Sequence, residues 1–241
     1  MQTQALVLRA APLKENDRLI TALTKEHGLL RAFANGAAKP RSPLHGASQP
    51  FAHGTLEFYT TRANALTLKE GRAEGVFFDG LAADVTRLAL ANYWSALCIE
   101  LCPREEPAPE QLRLMLNALH FLSTGLRPQA LLKAVVELRL LCLAGYMPDL
   151  SGAGDYLDLR RGGTAASAGT DRVLLEQHVR DAMRYICTAP LERVFRPALP
   201  EGTLQALGAA AQAYLLCQTG KRFDELAYYQ GIAGGQGKNI P

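Results

Sequence analysis

Between Glu26 and Glu57 the chain has no acidic side chain. Nothing in that stretch repels an anion, and its fixed charges, Arg31, Lys39 and Arg41, are all positive. The common catalytic and nucleotide-binding signatures are missing too. There is no GxSxG, no GxxxxGK[ST], no GxGxxG after a strand and no HExxH, so none of the chemistries those spacings serve has a local signature. No apolar run reaches the roughly 20 residues of a membrane span; the longest, within 131–143, is broken by Lys133, Glu137 and Arg139. The five cysteines (Cys98, Cys102, Cys142, Cys187, Cys217) include no CxxC pair. Their odd number, apolar surroundings and the lack of a signal peptide predict reduced, buried thiols in a cytosolic protein. None of the five histidines has a partner at metal-ligand spacing, so no metal, no cofactor and no catalytic residue is expected. His120 and His178 read as interhelical or surface side chains, and Glu105-Glu106 as solvated charge in a Pro-rich linker. Asp155 and Asp158 can share a turn, but two carboxylates alone specify no reaction.

What is present centres on residues 27–58, HGLLRAFANGAAKPRSPLHGASQPFAHGTLEF. Short apolar runs flank a loop of Gly, Ala, Pro and Ser, giving strand, basic loop, strand. Small residues allow close approach to a phosphate chain, and His27, His45 and His53 add positive charge at lower pH. A solvated surface loop is the alternative reading. The chain has 241 residues, with 48% hydrophobic and 20% charged, which suits a globular protein of two domains. Its net charge of +3 is unevenly placed: residues 1–80 hold ten Lys and Arg against seven Asp and Glu, and the remainder holds 16 of each.

Five or six short strands are expected in the first eighty residues (3–10, 18–24, 29–35, 51–60, 65–69 and 70–78), without helical spacing, as in a small closed β-barrel. Gly28 suits the turn after the second. After residue 80 the period becomes helical. Helices are expected over 81–101, 110–122, 129–144, 172–187 (capped by Asp171) and 203–219, with 129–144 apolar on nearly all sides and central to a bundle. Residues 146–171 read as an irregular insertion with YLDLR as a short strand, and 231–241 as a disordered tail. The fold class is therefore α+β: a barrel domain over 1–80, then a helical domain over 81–230.

Two stretches carry a family resemblance. ENDRLITALTKEHGLLRAFANGAAKPRSPLHGASQPF (15–51) and VELRLLCLAGYMPDL (136–150) resemble the family of the recombination mediator RecO, together covering about a fifth of the chain. The resemblance implies an OB-fold barrel that binds single- and double-stranded DNA and promotes annealing. It also implies a cytoplasmic, nucleoid-associated place and two partners, RecR and the acidic, apolar C-terminal tail of single-stranded-DNA-binding protein. Many members carry a four-cysteine zinc module after the second stretch; residues 151–169 contain no cysteine, so a zinc-free insertion is expected. Ala37-Ala38 stands where more Arg or Lys is usual, which bears on affinity. The DNA-binding candidates are Arg31, Lys39 and Arg41, with Lys14, Arg18, Arg62 and Lys69 if they share a face. Phe51, Phe58 and Tyr59 are candidates for base stacking or, alternatively, barrel core. Lys133 and Arg139 are candidates for the partner tail, Arg139 alternatively pairing with Glu137. A second function class remains open: an adaptor whose barrel holds an acidic peptide and never meets DNA. A third, an enzyme, would need clustered, perturbed titratable groups in a deep pocket.

Overall fold

The structure, a computed structural model, describes residues 1–236 and divides into two compact units, Met1–Thr124 and Gly125–Pro241. The first unit begins with five strands: β1 (Gln2–Pro12), β2 (Arg18–Thr24), β3 (Gly28–Ala34), β4 (Ala52–Thr60) and β5 (Leu66–Val76). They close in the order β1-β2-β3-β5-β4, with β4 returning to β1. Only β3 and β5 pair in parallel. This is the five-stranded Greek-key barrel of the OB type. The pieces expected at 65–69 and 70–78 are one strand, bent against β4 by two register shifts.

So narrow a barrel admits mostly small side chains. Ala5, Val7, Ile20, Ala22, Ala32 and Ala34 fill it from β1 to β3, with Leu56, Phe58 and Leu68 opposite. The loop at 35–51 completes the core by inserting Ala37, Leu44 and Ala47. Ala37 is therefore held small by packing.

Three helices complete this unit: α1 (Phe78–Ala82), α2 (Val85–Leu101) and α3 (Pro109–Thr124). Asp84 caps α2, accepting from the Thr86 and Arg87 N–H groups, as its short carboxylate suits. Helices α2 and α3 pack on β1 and β2.

The second unit is built on α4 (Gln129–Leu143), which packs against α5 (Gln177–Thr188) and α6 (Glu201–Thr219). Ten of its 15 residues are buried, Lys133 and Glu137 among them, as a helix apolar on nearly all sides demands. Helix α7 (Asp224–Gln236) follows. Among the described residues, no helix is long and apolar enough to cross a membrane.

Three expectations need correction here. The insertion is an ordered three-stranded sheet, β7-β6-β8, built from β6 (Tyr156–Asp158), β7 (Thr164–Ala165) and β8 (Arg172–Leu174). Asp171 caps no helix, because β8 follows it directly; its carboxylate pairs with Arg160 at 2.6 Å. Residues 231–236 continue α7 instead of starting a disordered tail, and 237–241 lie outside the described residues.

Candidate nucleic-acid interface

Strand pairing lays three cross-strand rows over the outside of β1, β2 and β3: Leu6–Leu23–Leu29, Arg9–Thr21–Arg31 and Ala11–Leu19–Phe33. The first row is buried, on the side where α2 and α3 pack. In the second, Arg9 and Arg31 are exposed on either side of Thr21. Strand spacing sets their Cα atoms about 10 Å apart. A groove of about 530 Å³ opens over this row, lined also by Leu66 of β5 and by Ile99 and Arg104. Three arginines and one acid, Glu105, thus border a largely apolar floor.

The third row ends where the loops at 13–17 and 35–51 begin. These loops are tied together: the Ala38 N–H donates to Asn16 O at 3.0 Å and the Gly36 N–H to Asp17 Oδ1 at 2.8 Å. They carry Lys14, Lys39 and Arg41, all exposed. Arg62, also exposed, lies on the β4–β5 turn just before Leu66. Of the seven candidates, Arg31 thus lies in the second row, and Lys14, Lys39, Arg41 and Arg62 are carried by loops that adjoin the strand ends beyond it.

The other two have structural work. Arg18 donates to Ser48 Oγ at 2.9 Å and His45 O at 3.2 Å, pinning the basic loop. Lys69 lies 2.8 Å from Glu57. That hydrogen bond holds the Glu57 carboxyl below its usual range and raises the Lys69 ammonium. Glu70 and Glu74 share the lining of this β4–β5 face with Glu57, so Lys69 sits among acids.

The aromatic candidates divide similarly. Phe51 and Phe58 are buried, while Tyr59 is exposed. Phe33 lies on the outer face, since its neighbours Ala32 and Ala34 point into the core. His53 stacks on Phe77 with ring centroids 5.1 Å apart. Burial lowers its pKa and outweighs the opposing pull of Glu74, so it contributes little charge near neutrality.

Sequence reasoning missed Arg9, Arg104 and Phe33. Strict alternation from Thr3, Ala5 and Val7 points Arg9 inward; a register shift between Val7 and Arg9 turns it out. Nothing periodic marks Arg104, which reaches the groove through the α2–α3 connector.

In the second unit, Lys133 is buried. Its ammonium pairs with Glu137 at 2.7 Å and donates to Gln212 Oε1 at 3.0 Å. Glu137 therefore partners Lys133, not Arg139. The Arg139 guanidinium donates to the carbonyls of Ile186, Cys187 and Ala189 at 3.3, 2.8 and 3.3 Å, closing the C-terminus of α5. Among the described residues no three His, Cys, Asp or Glu side chains converge as a metal set.

Comparison with known proteins bears on this geometry. Residues 1–77 match the family model described as recombination protein O N terminal, and 82–227 match recombination protein O C terminal. The chain belongs to the RecO family. The models describe a recombination protein, and the relatives carry the name of a DNA repair protein. RecO-named relatives agree over different lengths. The DNA repair protein RecO of Heliobacterium modesticaldum is 39% identical over 151 residues, 62% of this chain and 53% of its own. That of Desulforudis audaxviator is 34% identical over 149 residues, 62% and 58% respectively. In these two matches the chain spans somewhat over half of the relative. The RecO of Acetivibrio thermocellus aligns over 245 residues at 24% identity, covering 96% of this chain and 97% of its own.

Proposed function

We propose that the barrel binds the DNA backbone without sequence preference, single strands above all and duplex also. On this reading the protein promotes strand annealing and helps load recombinase onto DNA coated by single-stranded-DNA-binding protein, working in the cytoplasm at the nucleoid. The observation that carries the reading is the Arg9–Thr21–Arg31 row. Cations project there from an OB-type sheet across β2 and β3, the face such folds use for oligonucleotides. The loops with Lys14, Lys39 and Arg41 and the turn with Arg62 extend the positive border. Phe33 and Tyr59 offer π-faces for unstacked bases. Annealing needs only charge neutralisation that lets two strands approach, with no bond chemistry.

RecR and the tail of single-stranded-DNA-binding protein remain the proposed partners. An acidic, apolar tail requires a cation beside an apolar surface. Lys133 and Arg139 meet that need poorly, since both are engaged inside the unit. The groove lined by Ala182, Tyr185, Arg196 and Leu199 sets a cation beside an apolar surface; its one acid, Asp181, is paired with Arg184, and we propose that the tail binds there.

Binding of fluorescent oligothymidylate across a salt series tests the DNA reading. Each lost phosphate contact on a single strand lowers the salt slope by about 0.7. An Arg9→Ala/Arg31→Ala double variant should lose about 1.4 in slope together with most of its affinity, whereas Lys69→Ala should leave both unchanged. Wild-type protein that ignores the oligonucleotide at low salt while an acidic peptide binds the same arginines would establish the adaptor reading instead.

A further inference from the structure

Glu105 is an acid where a phosphate-binding groove wants none. It lines the groove over the Arg9–Thr21–Arg31 row beside Arg104, and it is exposed there. Among the described residues, no donor or cation pairs with its carboxylate. Its backbone is left-handed, with φ at +61°, a conformation that is uncommon outside glycine and gathers at functional positions. The connector is held on both sides of it. The Leu29 N–H donates to Pro103 O at 2.8 Å and the Ala108 N–H to Lys25 O at 2.9 Å, while Arg104 bridges to Gly28 and Leu29 at the start of β3. The carboxylate therefore sits on a fixed segment.

A phosphate gains nothing from a carboxylate, so the strand's backbone belongs to the arginines and Glu105 faces something else. The floor includes Leu19, Leu29, Leu30 and Leu66, a surface that suits the flat face of an unstacked base. The space of about 530 Å³ is within the range of small-molecule pockets. A single strand leaves the Watson–Crick edge of such a base unpaired and open to side chains. The four bases differ in what that edge offers a carboxylate. Guanine presents N1–H and an N2–H side by side, two parallel donors for two oxygens, as arginine does in a bidentate pair. Cytosine and adenine present one amino donor beside a ring-nitrogen acceptor. Thymine presents one N–H between two carbonyls. In those three an acceptor lone pair lies against the second carboxylate oxygen.

We infer that the groove holds one unstacked guanine, its ring on the leucine floor, its N1–H and N2–H donating to Glu105, and its flanking phosphates held by the bordering arginines. This rests on the DNA reading above and refines it. Backbone contacts carry no sequence information, so binding remains tolerant of sequence, and Glu105 adds a preference at a single nucleotide.

Fluorescence titration of the full chain with oligothymidylates of about 15 nucleotides, plain or carrying isolated guanine, adenine or cytosine, tests this. Wild-type protein should bind the guanine oligonucleotide about fivefold more tightly than the other three. Inosine, which lacks the N2 amino group, should lose most of that advantage, and 7-deazaguanine, which keeps both donors, should retain it. Glu105→Ala should erase the advantage and bind plain oligothymidylate more tightly than wild type, because an acid beside the strand has gone. Equal binding of all four oligonucleotides would overturn the inference and leave the DNA reading standing. So would a guanine advantage that survives Glu105→Ala, or one that disappears with 7-deazaguanine, since an arginine would then be reading N7. A wild-type chain that binds none of them at low salt would sink both.

Discussion

Gly28 holds a position that no side chain can take. Its φ is +58°, and a Cβ there would lie 2.2 Å from Pro103 O and 2.7 Å from Glu106 O. The same backbone contact brings the Leu29 N–H to Pro103 O at 2.8 Å, which seats Arg104 at the groove. Gly28→Ala combines a left-handed penalty of about 1–2 kcal/mol with a backbone clash. Urea unfolding should show a loss of at least about 2 kcal/mol, and DNA binding should weaken as the connector shifts. A stability within error of wild type would mean that the connector is not held this way. His53 makes a second residue-scale case. Its ring lies opposite Gly75, where a Cβ would meet Nε2 at 2.5 Å. Because burial lowers its pKa below the ordinary 6.5, protonation favours the unfolded chain. Its contribution to stability is complete above about pH 6.5 and falls as the pH drops through the folded-state value. Melting temperature followed from pH 7.5 to 5.5 (about one unit either side of the ordinary value) should decline more steeply for wild type than for His53→Gln.

At the scale of elements, α4 shows how an apolar helix accommodates charge. Lys133 and Glu137, one turn apart, neutralise each other at 2.7 Å inside the bundle. Removing one partner strands the other: Lys133→Met should cost about 3–5 kcal/mol in urea unfolding. The Lys133→Met/Glu137→Leu double variant should recover most of that, since apolar replacements of similar volume are often neutral. Single and double variants equal in stability would show the pair to be uncoupled. Sequence periodicity was enough to place α4, and to place the barrel strands within a few residues. It could not say what Arg139 meets: Glu137 lies one turn from Lys133 and only two residues from Arg139, which faces elsewhere, and the carbonyls that take the guanidinium belong to the end of α5. The same limit applies to the site. Arg31 stood out because no acid surrounds it, but the groove also needs Arg9, reversed by a bulge, and Arg104, delivered by a connector. Bulges and connectors depend on tertiary pairing, so a local pattern does not encode them. Asp171 misled for a related reason: an acidic residue before an apolar run suits a helix cap, and here the run pairs with β6 as β8.

At the scale of the whole molecule, the barrel does not end its own packing problem. Its first outer row, Leu6–Leu23–Leu29, is buried, and no barrel strand covers it. Helices α2 and α3 lie on that side, and the compact unit accordingly runs to Thr124. A fragment of residues 1–77 keeps every strand yet bares that row. Each fully buried leucine is worth about 1.5–3 kcal/mol, and three in line form an apolar patch of the kind that drives association. The fragment 1–124 keeps the row covered, as well as Arg104 and the groove. By size-exclusion chromatography and urea unfolding, residues 1–124 should be monomeric and cooperative, and they should retain the salt-dependent oligonucleotide binding of the full chain. Residues 1–77 should associate or unfold at markedly lower urea. A monomeric 1–77 fragment that binds the oligonucleotide as tightly as 1–124 would show that the helices neither stabilise the barrel nor complete its binding face.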